Sequence, residues 1–92
     1  MTGMPTIEFT PNLRRHVACP TESLAAATLA ECLDSYFGRW PDVRGYILDD
    51  QGGVRHHVKI MIDGRNIRDR LDLSDPLTPG SRVHVFQALS GG

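Results

Sequence analysis

The chain has 92 residues, 40% of them hydrophobic and 23% charged, with a formal net charge of -1. A chain of this length makes one domain and not two, and a domain that small buries only about 60–65% of its unfolded surface, enough for a core but not for a deep substrate cavity. The small net charge sets aside nucleic acid as the main partner, and no run approaches the roughly 18 apolar residues of a membrane-spanning helix.

Thr6-Ile-Glu-Phe-Thr10 alternates polar and apolar residues and predicts a short half-buried strand with Ile7 and Phe9 on one face. Pro11-Asn12 ends it, Leu13 to Pro20 reads as an extended connection, and Thr21 to Ala26 as the return strand of a hairpin. Thr28 to Phe37 predicts a helix. Thr28 and Glu31 have capping-box spacing, and Leu29, Cys32, Leu33, Tyr36, Phe37 and Trp40 fall on one apolar stripe. Gly38 and Pro41 are read as its stop.

Apolar Gly45-Tyr-Ile-Leu48, turn-rich Asp49-Asp-Gln-Gly-Gly53 and Val54 to Ile62 predict a second hairpin. Asp63-Gly64 is a further turn, followed by a brief strand at Asn66-Ile67. Leu71, Leu73 and Leu77 are expected to plug the end of the core. Pro79-Gly80 turns the chain into a last strand, Ser81 to Gln87, with Val83 and Val85 on one face and His84 and Phe86 on the other. One helix must then cover one face of one sheet. The fold class is α+β, a ubiquitin-like β-grasp with a mixed sheet packed on one helix. Residues 1–92 are expected to form a single domain, with a flexible Gly-Gly tail expected over about 88–92.

Several residues invite chemistry and do not support it. His56 and His57, read as strand neighbours, point to opposite faces, and no Cys/His spacing matches a zinc site, so no metal is expected. Cys32 lies on the apolar stripe as a small hydrophobe, and Cys19, in a basic stretch, has no visible acid–base partner. Asp49-Asp50 are turn residues, and Arg65, Arg68 and Arg70 alternate with acids as a solvated surface. No triad, carboxylate pair or cofactor loop is present, so the chain is not expected to be an enzyme.

The ending carries the functional signal. Gly91 and Gly92 have no side chains to obstruct a narrow cleft. Thr28-Leu-Ala-Glu-Cys-Leu33, His57-Val-Lys-Ile-Met-Ile-Asp-Gly64 with Asn66-Ile-Arg68, and Pro79-Gly-Ser-Arg-Val-His-Val-Phe86 with Leu89-Ser-Gly-Gly92 resemble the MoaD/ThiS family of sulfur carriers, over about Ile7 to Gly92. That family includes the small subunit of molybdopterin synthase, the thiamine-pathway carrier, and carriers in cysteine synthesis and transfer RNA thiolation. The resemblance implies that Gly92 is adenylated by a ubiquitin-activating-type enzyme using ATP and converted to a thiocarboxylate. It implies that Leu89, Ser90 and Gly91 thread the cleft and that Phe86 helps dock the partner.

The implied partners are that enzyme, a sulfur donor (a sulfurtransferase or sulfide) and an acceptor such as a synthase large subunit. No bound cofactor is implied. Gln87-Ala88 stand where the family often has prolines, and with Gly92 last the chain is expected to need no processing. Length and the Asp49–Gly53 loop look more like the molybdopterin and cysteine-synthesis carriers than the shorter thiamine type, and transfer RNA thiolation is also placed behind those two. Two other readings share the fold: a modifier conjugated to lysines, and a non-covalent interaction module. The expected location is the cytoplasm, with both thiols reduced.

Overall fold

Period-two alternation places Ile7 and Phe9 in the core as β1, Thr6–Phe9, in a computed structural model that describes residues 3–87. Pro11 then opens a single helical turn, α1, Pro11–Arg14, where an extended connection was expected. Proline's fixed φ suits the first helical position, and the turn buries Leu13. The return strand is only two residues, β2, Glu22–Ser23, paired antiparallel with β1.

The main helix is α2, Leu29–Arg39. Its predicted cap is present: Thr28 Oγ1 accepts from Glu31 N at 3.3 Å. Glu31 Oε1 reaches back to Ala27 N at 2.8 Å, one residue before the usual capping-box partner. The free amides of Leu29 and Ala30 donate to the carbonyls of Asp75 and Leu73, so the later irregular segment completes the helix start.

Gly38 does not stop α2, and Pro41 starts a new helix, α3, Pro41–Ile47. A residue before proline is pushed out of the helical region, and Trp40 (φ -129°, ψ 67°) makes the break. Val43 and Ile47, four apart, are both fully buried, so the run expected as a strand is helical, with Ile47 on the inner face of α3 and Gly45 and Tyr46 exposed. Of the pairing between its two arms there remain the bridge between Leu48 and Val54 and the bonds from Arg55 N to the Ile47 carbonyl and from Asp49 N to the Gly53 carbonyl. Its turn is as expected: Asp49 Oδ1 accepts from Gln51 N (2.9 Å) and Gly53 N (3.0 Å).

The remaining strands are β3, Val58–Ile62, β4, Arg65–Asn66, and β5, Arg82–Gln87. Asp63 and Gly64, both at positive φ, turn β3 into β4. The sheet order is β2-β1-β5-β3-β4, with β1 and β5 parallel and every other pair antiparallel. This is the expected β-grasp, with α3 added beside the expected helix. Ile7, Phe9, Val58, Ile60, Val83 and Val85 bury one face of the sheet against Leu29, Leu33, Tyr36, Val43 and Ile47.

Tyr36 is wholly buried, and its hydroxyl donates to the Pro20 carbonyl at 2.7 Å. Tyr36→Phe is expected to cost about 1 kcal/mol of unfolding free energy in a urea titration, by losing that bond. Trp40 Nε1 and Arg39 Nη1 both donate to Glu22, tying the end of α2 to the sheet edge.

Leu73 and Leu77 plug the core as expected, but Leu71 does not: it is 77% exposed. Asp69 fixes this loop by accepting from Leu71 N, Asp72 N, Ser74 N and the Ser74 hydroxyl. The Ser74 hydroxyl first, then the Asp72 amide, lower the Asp69 carboxyl to about 2. A depressed carboxyl contributes stability above its ordinary pKa and loses it as pH falls through about 2. Amide exchange at Leu71, Asp72 and Ser74 is expected to accelerate over the interval from about pH 4 down to pH 2, at fixed intrinsic rate.

Candidate functional site

The sheet has one covered face and one open face, and β5 runs through its centre between β1 and β3. Strand alternation turns Val83 and Val85 inward and Arg82, His84 and Phe86 outward. Phe86 is 39% exposed, as its alternation with the buried valines implied. It lies opposite Lys59 in the β3–β5 register, while His84 lies opposite Met61 on one side and Glu8 on the other. His84 Nε2 is 3.0 Å from Glu8 Oε1, and the His84 and Phe86 rings are 6.2 Å apart.

A shallow cavity of about 170 Å³ opens here, lined chiefly by Glu8, Thr10, Pro11, His84 and Phe86. Thr10 Oγ1 is buried with no hydrogen-bond partner among the described residues. The surface is therefore an apolar ring in a polar surround. It is built on the most firmly paired strand, at the point where the chain leaves for its terminal residues.

Leu89, Ser90, Gly91 and Gly92 lie outside the described residues. The other candidates fall away from chemistry. Cys19 and Cys32 are buried free thiols; burial raises both, Cys32 to about 11, and Arg14 only partly offsets the effect at Cys19. His56 and His57 are not strand neighbours on opposite faces. They occupy the turn before β3, with rings 5.5 Å apart and edge to face. Among the described residues no group of three or more His, Cys, Asp or Glu side chains could hold a metal ion. Arg70 is not merely a solvated charge: its guanidinium donates to the carbonyls of Arg55 and Val58 and braces the start of β3. No helix is long and apolar enough to cross a membrane among the described residues.

Sequence reasoning missed two neighbours of Phe86. Lys59 stands out as the single lysine of the chain, but its place opposite Phe86 depends on strand register. The His84–Glu8 contact joins residues 76 apart through the parallel pairing of β1 and β5.

A β-grasp sheet with one open face and a central last strand defines a ubiquitin-like protein. The model of the ThiS family matches residues 13–92, and the chain belongs to that family. Its fold is similar to that of SAMP1 from Haloferax volcanii, with a TM-score of 0.81 at 20% identity, covering 98% of this chain and 100% of that one. A chain of the Amycolatopsis orientalis BexX/CysO complex gives 0.80 at 17% identity, covering 96% and 99%. Urm1 from Trypanosoma brucei gives 0.71 at 16% identity, covering 99% and 97%. No curated protein matches the chain.

Members of the family carry sulfur as a thiocarboxylate, and this chain is a carrier of that kind. It is a substrate of its partners and not a catalyst. Those partners are an adenylating enzyme that uses ATP and a downstream acceptor.

Proposed function

We propose that Gly92 is the sulfur-bearing residue, that Leu89, Ser90 and Gly91 thread the cleft of the activating enzyme, and that Phe86 seats it on the open face. The observation that carries this reading is β5. It is hydrogen-bonded on both sides, holds Phe86 exposed, and ends at Gln87, five residues before Gly92. A rigid root gives a partner a fixed point from which to position a reacting terminus, and preorganisation lowers the cost of binding.

The chemistry needs no side chain of the carrier. The Gly92 carboxylate attacks the α-phosphorus of ATP and pyrophosphate leaves. The mixed anhydride makes AMP a good leaving group. Sulfur from a sulfide source then attacks the carbonyl carbon, AMP departs, and a thiocarboxylate remains. Glycine has no β-carbon to crowd that attack.

The carrier unit is the whole of residues 1–92, with residues 88–92 as its tail. Chain length and the Asp49–Gly53 loop support a molybdopterin or cysteine type of pathway. The buried free thiols of Cys19 and Cys32 suit the reducing cytoplasm.

Intact mass tests the reading. After incubation with ATP, sulfide and the activating enzyme of the same cell, the protein should gain the difference of one sulfur for one oxygen. Isopeptide adducts on lysines of other proteins, without that gain, would establish a modifier instead. No change with an enzyme shown to be active would leave only a non-covalent role.

A further inference from the structure

The charge of the open face runs against the charge of the chain. The chain is net -1, with eleven acidic residues. Of these, only Glu8 occupies an outward strand position between Phe86 and Arg82, and its carboxylate is engaged with His84. The cations there are Lys59, opposite Phe86, and Arg82, on the same side of β5 as Phe86; both are exposed. Neither has a carboxylate within ion-pair distance among the described residues. Asp63, in the turn at the far end of β3, accepts from the Arg82 backbone amide and not from its guanidinium. Glu31 and Asp34 on α2 and Asp42 on α3 lie behind the sheet, and Asp49, Asp50, Asp69 and Asp72 are in loops and not at outward strand positions.

We infer that the activating partner receives Phe86 in an apolar socket with an acidic rim, and that Lys59 and Arg82 select that rim. The inference rests on the proposed role of Phe86 and adds the chemistry of the surface that meets it. The division of labour follows from physics. A desolvated aromatic at the centre supplies most of the affinity. Charges at the edge set the encounter rate and exclude partners whose rims are basic. Because the cations sit on adjacent paired strands, a complementary surface meets them in fixed register with the ring.

The test is adenylation kinetics with the full-length protein, ATP and the activating enzyme of the same cell. Lys59→Glu and Arg44→Glu change the net charge equally, but exposed Arg44 lies on α3, behind the sheet. Lys59→Glu is expected to lower kcat/KM about 10-fold at about 50 mM salt, and the double variant with Arg82→Glu further. Arg44→Glu should stay within about twofold, and about 300 mM salt should shrink the difference between wild type and Lys59→Glu.

Lys59→Gln, which removes charge without reversing it, should fall between wild type and Lys59→Glu. A thermal melt of each variant separates a folding defect from a docking defect. Equal losses for Lys59→Glu and Arg44→Glu, or no loss for either, would overturn the acidic rim and leave sulfur carriage standing. Wild-type protein left untouched by an enzyme active on another carrier would remove both.

Discussion

Removing Gly92 is expected to leave a protein that melts at the wild-type temperature and acquires no sulfur. The fold should not respond, because every residue of the core cluster lies between Ile7 and Val85. The chemistry should respond almost completely. Truncation draws the terminal carboxylate back by one residue, about 3.5 Å along an extended chain. Misplacement of a reacting group by about 1 Å already costs about 100-fold. A loss of at least about 1000-fold in adenylation is therefore expected, read by pyrophosphate release and by intact mass. Gly91→Val should approach the same loss by a different route, since on the proposed threading a branched side chain would have to enter the cleft. Sulfur gain by the truncated protein at the wild-type rate would place the reactive carboxylate elsewhere.

What the residues alone reveal divides by the range of the interactions involved. β1, α2 and β5 were legible because their signals are local. Alternation marks Ile7 and Phe9, the Thr28 cap and apolar stripe mark α2, and Val83 and Val85 alternate with Phe86. α3 was not legible as a helix. A four-residue apolar run suits either a strand or part of a helix, and Pro41, which starts α3, also reads as a stop for the helix before.

Leu71 was misplaced because its exposure depends on Asp69 gathering four donors around it, an arrangement no periodicity announces. The candidate site was half legible for the same reason. Phe86 could be assigned to the open face from β5 alone, whereas the positions of Lys59 and Glu8 beside it needed the register of two other strands.

Adjacent residues of β5 should separate docking from folding. Phe86→Ala removes a ring that is 39% exposed and stands outside the core cluster, so no core cavity forms and the melting temperature should move by no more than a few degrees. If the ring is the anchor of the partner interface, its truncation costs about 2–4 kcal/mol of binding, or roughly 30- to 1000-fold in kcat/KM for adenylation. Val85→Ala is the reverse case. Val85 is buried and shares the core with Ile60 and Phe9, so the loss of its methyl groups should cost about 1–3 kcal/mol of stability.

Measured well below its own melting temperature, Val85→Ala should still be adenylated at close to the wild-type rate, since it presents the same open face. The single lysine supplies an independent readout. Lys59 lies opposite Phe86, so acylation of Lys59 should be slowed by excess activating enzyme for wild type and much less for Phe86→Ala. A Phe86→Ala protein adenylated normally, with Lys59 still protected, would show that the enzyme covers this face without using the ring. Affinity would then rest on the tail and the flanking cations. Loss of activity together with loss of protection would show that the aromatic at the end of β5 holds the enzyme in place while the tail reacts.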